Sequence, residues 1–143
     1  MAGYMTKLLN YVYEGELANG AAAAVPNGVL MVQGTSTNVG KLILPASADT
    51  TTKILCKEVT DIYGGTTAYR FVVKKLNAPY YFIENGFQVN DLADYDKRNY
   101  TTAVGDLLRA HPLEVGDEFV TTGVTGTIAA GTEYGVKTDG TIG

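Results

Sequence analysis

The chain has 143 residues, of which 45% are hydrophobic and 18% charged, and its formal net charge is −4. That length holds one ordinary domain with its own core, and that hydrophobic content excludes a disordered chain. A single Cys (Cys56) and a single His (His111) exclude an internal disulfide, a cysteine-based zinc site and a multi-histidine metal centre.

The common residues are Thr, with 18, and Gly, with 17, and Trp is absent. Thr and Tyr favour strands and Gly marks turns, so the composition leans towards β structure. The positive charges are scattered. Their densest groups, Lys74-Lys75 and Lys97-Arg98, do not form a tract, so no nucleic-acid partner is expected. Near the N-terminus Asn10, Glu14, Gly15 and Glu16 interrupt any apolar run after Leu8-Leu9, which argues against a signal peptide. Leu17 to Gly40 carries no charge but is broken by Asn19-Gly20, Pro26-Asn27-Gly28 and Gly34, so it does not predict a membrane span. The expectation is a soluble chain with no membrane partner.

Taken in order, residues 1–7 predict an arm. Leu8 to Tyr13 predicts a strand with Leu9, Tyr11 and Tyr13 on one face. Residues 1–13 thus form an N-terminal arm and first strand. Residues 14–143 form a single β-rich domain, with sub-lobes 14–90 and 91–143 as an alternative division. Ala18 to Pro26 predicts a small-residue loop, and Pro26-Asn27-Gly28 a turn. Val29 to Gln33 and Lys41 to Leu44 predict short strands around the loop Gly34 to Gly40, and Ala46 to Thr52 predicts a polar loop.

Lys53 to Leu76 predicts a hairpin turning at Gly64-Gly65. A two-residue turn there sets Tyr63 opposite Thr66. The core face is then Ile54, Cys56, Thr60, Ile62, Tyr69, Phe71 and Val73, and Glu58 falls opposite Phe71. A second hairpin is predicted at Asn85-Gly86, with Phe82 opposite Val89. Asp91 to Asp96 predicts one helical turn. Beyond Thr101 the strands are short: Leu107 to His111 ends at Pro112, Glu118 to Thr122 follows Gly116-Asp117, and Tyr134 to Thr138 precedes a turn at Asp139-Gly140. Many short antiparallel strands with frequent turns and no strand–helix alternation predict a mainly β fold, a small barrel or sandwich with at most one short helix.

The residues offer little catalytic chemistry. Asp91, Asp94 and Asp96 supply oxygens of the kind calcium takes, but lack the spacing of an EF-hand loop and its distal Glu; they read as a solvated helical turn or loop, and no metal is expected. Glu58 reads first as a carboxylate that a bulge or sheet end turns to solvent; the alternatives are a functional carboxylate or one met by a partner's Arg or Lys. Cys56 reads as a small core residue, or as a nucleophile if His111 served as its base. Neither Ser sits in a Gly-x-Ser-x-Gly elbow, and no phosphate-cradling loop occurs. No enzyme activity and no cofactor are expected. The Tyr residues are more suggestive. Tyr80-Tyr81 begin a run that is apolar on both faces. That predicts a strand buried on two sides or one covered by another chain.

Arg109 to Asp117 reads RAHPLEVGD, then EFVTTG, then GTEYGVKTDGTI; the first half carries ELANG and PNGVLMVQG. The Leu-x-Val-Gly-Asp-x-Phe run and the Gly-x-x-Tyr-x-Val-x-x-Asp-Gly hairpin resemble small structural proteins of tailed bacteriophages. The nearest group is the head decoration, or cement, proteins. The likeness is clearest over residues 100–143 and looser elsewhere. It implies a non-enzymatic β-rich protein made in the bacterial host cytoplasm that binds the outside of an icosahedral capsid and stabilises it. The implied partners are the major capsid protein lattice and neighbouring copies, as in a homotrimer. An arm such as residues 2–13 would add a strand to a neighbouring sheet edge. The interface residues expected on this reading are Tyr4, Leu8, Tyr11, Tyr13, Tyr80 and Tyr81. The alternatives are another phage component (head–tail joining, tail or fibre-base) and a carbohydrate- or small-ligand-binding β-barrel.

Overall fold

The computed structural model describes residues 3–7, 16–62, 66–85 and 101–143. The fold is mainly β. Five strands close into a small barrel: β2 (Glu16–Asn19), β4 (Leu30–Gln33), β5 (Lys41–Ile43), β8 (Tyr81–Ile83) and β10 (Leu107–Pro112). A five-stranded sheet lies against it. Its order is β1 (Gly3–Lys7), β11 (Glu118–Thr121), β7 (Thr66–Lys75), β6 (Asp49–Ile62) and β12 (Glu133–Val136). Two short strands, β3 (Val25–Pro26) and β9 (Thr101–Thr102), pair with each other, and Ser36–Asn38 makes one 3-10 turn. The later strands do not form a lobe of their own: β10 pairs with β2 and β8, β11 with β7, and β12 with β6.

Strand β8 explains how barrel and sheet share one core. Its three residues are all buried. Alternation sends Tyr81 and Ile83 into the barrel with Met31, Leu42, Leu108 and Ala110. Phe82 points the other way, against Leu30, Phe71 and Phe119 of the layer between barrel and sheet. The Phe82 and Phe119 ring centroids are 4.8 Å apart, and those of Phe71 and Phe119 5.8 Å. The apolar-on-both-faces run is therefore a strand buried on two sides. Phe82 opposes Leu30 on one edge and His111 on the other, so both edges of β8 are occupied. The expected partner strand 87–90, the Phe82–Val89 pair and the helical turn at Asp91–Asp96 lie outside the described residues.

The long hairpin departs from the expected register. Ile62 opposes Thr66, so three residues rather than two separate the paired ends. Between Cys56 and Glu58 the β6–β7 register slips by one residue, which restores the phase so that Cys56 opposes Phe71. The register set by the three-residue turn runs unbroken from Ile62 to Glu58, so Glu58 opposes Arg70, not Phe71, and its Oε1 lies 2.9 Å from Arg70 Nε. Of the readings of Glu58, the bulge that turns it to solvent is the one observed, and the carboxylate makes a half-exposed ion pair. Two predicted loops are also shorter than expected. Glu16–Asn19 and Val25–Pro26 are strands inside or beside the 18–26 segment, and β6 starts at Asp49. One pairing, β2 with β5, is parallel in a set of strands expected to be antiparallel throughout; residues 20–40 supply the crossover it needs.

Candidate functional site

Loops 45–51 and 77–80 border a shallow groove of about 310 Å³, with Val32 behind them. Asp49, the first residue of β6, is its charged centre. Its Oδ1 accepts the backbone N–H groups of Thr51 (2.9 Å) and Thr52 (3.0 Å). Its Oδ2 accepts the Thr52 hydroxyl (2.6 Å) and the Tyr80 hydroxyl (2.7 Å). The Thr52 oxygen in turn accepts the N–H of Asn77 at 2.9 Å. The sequence builds this locally: an Asp followed by three Thr residues offers an Asx-type turn whose side chain reaches its own backbone.

Partial desolvation of the Asp49 carboxyl raises its pKa. The hydrogen bonds from Thr52, Tyr80 and Thr51 outweigh that and bring it down to about 2. Burial, together with the Asp49 charge beside it, pushes the Tyr80 hydroxyl well above the ordinary tyrosine value. At neutral pH the pair is a fixed carboxylate and a fixed phenol donor. All four acceptor positions of the carboxylate are engaged. Such a carboxylate is a weak general base, and this one serves as a clasp holding the two loops together.

A second polar cluster closes one end of the barrel. Asn85 Nδ2 donates to Thr102 Oγ1 (2.6 Å) and Leu107 O (3.0 Å), and Asn85 Oδ1 accepts the N–H of Arg109. Asn27 exchanges bonds with the Asn85 backbone, both at 2.8 Å. Asn19 donates to Thr102 O at 3.0 Å and accepts the N–H of Ala21 at 2.9 Å. Asn19, Asn27 and Asn85 are all buried. Each precedes a Gly, and the Asn-Gly spelling suggested only turns. The signal that marks them as hubs is the threefold repetition of that dipeptide.

The other candidates separate. Cys56 is buried in the layer between barrel and sheet, where burial raises its thiol pKa and its Sγ lies 3.7 Å from Glu58 O. His111 belongs to β10 of the barrel, with Nε2 3.6 Å from Glu84 Oε1. Each has its own neighbours, and they sit on different strand systems. Tyr80 and Tyr81 were expected at an interface. Both are buried within the chain, Tyr80 holding Asp49 and Tyr81 accepting a 2.7 Å hydrogen bond from Gln33 Nε2. Their aromatic area is spent on the chain's own core, so packing replaces the interface role at these two positions. Tyr4 is in β1, where its backbone opposes Val120. Leu8, Tyr11, Tyr13, Asp91, Asp94 and Asp96 lie outside the described residues. Among the described residues, no group of three His, Cys, Asp or Glu is arranged to hold a metal ion, and no helix is long and apolar enough to cross a membrane.

No protein-family model matches the chain, and no curated protein or solved structure is significantly similar to it.

Proposed function

We infer that this chain is a structural component of a tailed-phage virion, binding the outer surface of the assembled capsid and stabilising it. What supports the reading is how the polar groups are used. The groove carboxylate is saturated by internal donors, and the buried Asn residues bond the chain to itself. Among the described residues, these polar groups serve the chain's own packing. The resemblance of residues 100–143 to decoration proteins points the same way. Strand β1 does not bear on it: Gly3–Lys7 pair with β11 of their own chain, so this part of the expected arm is spent on the chain's own sheet edge rather than a neighbour's. Stabilisation would follow mass action, since a ligand that binds only the assembled lattice favours it, and symmetry repeats each weak contact.

The test is co-sedimentation of the chain with virus-like particles from its source, followed by a copy count. On the order of hundreds of copies per particle, removable without loss of the shell protein, supports decoration. A few copies indicates a joining or tail component, and absence from the particles overturns the virion reading.

A further inference from the structure

We propose that Lys53, Lys74 and Lys75 form a docking corner for an acidic protein surface. The register brings them together at one end of the β6–β7 ladder. Lys53 directly opposes Lys75, and the ladder slips by one residue there, leaving Lys74 beside them. All three are exposed. Like charges set opposite each other in a ladder repel, so this arrangement works against the fold. Other basic residues of the same sheet have local partners: Lys57 Nζ is 3.4 Å from Glu118 Oε1, and Arg70 is paired with Glu58. Among the described residues no carboxylate pairs with the three lysines. Glu133, on the flanking strand, opposes Leu55 and makes no ion pair with Lys53.

The corner is a concentrated positive patch on a chain whose net charge is −4. Such a patch selects a complementary acidic surface and steers it on approach. It also stands beside the groove, since Thr51 and Asn77 line the groove and lie two residues from Lys53 and Lys75. Protein carboxylates suit it better than nucleic acid: three lysines neutralise few phosphates, so little counterion release is available to hold a strand. The inference stands independently of the virion reading.

The test is fluorescence anisotropy of the full-length chain with labelled deca-glutamate, deca-lysine and a single-stranded DNA oligonucleotide. Deca-glutamate should bind, weaken steeply with added salt, and weaken at least about tenfold in the triple variant K53Q/K74Q/K75Q. Lys41→Gln, at an exposed lysine elsewhere, should leave binding unchanged. The triple variant should melt at or above the wild-type temperature because the opposed charges are gone. No deca-glutamate binding by the wild type, equal binding by the triple variant, or tighter lysine-dependent binding of the oligonucleotide overturns the proposal. A triple variant that melts well below wild type overturns it too, because the lysines would then serve the fold.

Discussion

The Tyr80 hydroxyl donates to Asp49 Oδ2 over 2.7 Å, tying the residue before β8 of the barrel to the first residue of β6 in the sheet. Barrel and sheet are thus joined by a polar clasp at the rim as well as by the aromatic layer between them. The clasp should be visible in acid. The Asp49 carboxyl sits at about 2 in the folded chain, below its ordinary 3.8. A depressed pKa gives stability that is present above the unfolded value and is lost as pH falls through the folded one. The stability difference between wild type and Asp49→Asn should therefore be steady at neutral pH, about 1 kcal/mol after screening of this half-exposed group. It should shrink between roughly pH 4 and pH 2. Urea titrations across that range measure it. Tyr80→Phe removes one of the four donors and brings the folded-state pKa nearer the ordinary 3.8, so its acid loss should be smaller and complete at higher pH.

Phe119 carries the contact between the two strand systems. It is fully buried and meets Phe82 of the barrel on one side and Phe71 of the sheet on the other. Phe119→Ala should cost about 3–5 kcal/mol through lost transfer energy and a residual cavity. Barrel and sheet should still unfold together, because one cluster contains both. Far-ultraviolet circular dichroism and tyrosine fluorescence followed during denaturation should give coincident transitions. Two separate transitions would contradict a shared core. Val59→Asp is the contrast: Val59 is 49% exposed, so the change should stay within about 0.5 kcal/mol.

Glu58 distinguishes the observed register from the simpler one. Had it faced Phe71, replacing it with Leu would stabilise the chain by removing a buried charge. Facing Arg70 in a half-exposed pair, Glu58→Leu should instead destabilise slightly, by less than about 1 kcal/mol. A double-mutant cycle with Arg70→Met should return a coupling of about 0.2–1 kcal/mol. The sign of the single mutant decides between the two registers.

Much of the fold was legible because it rests on local patterns. The strands at 30–33, 41–43, 107–112, 118–121 and 133–136 coincide with short apolar or alternating runs bounded by turn residues. Gly140 shows why one turn was readable. It has a φ of 80°, and an added Cβ would lie 2.7 Å from Leu30 O, so only Gly fits. What escaped depends on distant residues. The slip between Cys56 and Glu58 was hinted at by a Glu on the core face, but which residues it sets opposite each other depends on Phe71 and Arg70 across the ladder. The closing of the barrel through the parallel β2–β5 pair depends on residues some twenty positions apart. The Asp49 clasp had half a signal, the Asp followed by Thr residues. Its other half, Tyr80, lies 31 positions away. Tyr80 and Tyr81 were misplaced for the same reason, since composition cannot tell a core tyrosine with a bonded hydroxyl from one awaiting a partner.

Asn85 tests how the barrel end is held. Its side chain serves Thr102, Leu107 and Arg109, and its backbone is bonded by Asn27, so one residue links β8, β9, β10 and the turn before β4. Asn85→Leu keeps the volume but leaves the partly buried Arg109 N–H and Leu107 C=O without their side-chain partner. Each such group costs about 1–3 kcal/mol when left unpaired. The total should be about 2–4 kcal/mol, larger than that of Asn85→Asp, which retains an acceptor for the Arg109 N–H. Hydrogen exchange should place the damage: the amides of Asn85 and Arg109 should lose protection, while Leu55 and Val72 in the sheet should keep theirs. Loss of protection throughout would mean that the Asn network underpins the whole fold rather than one end of the barrel.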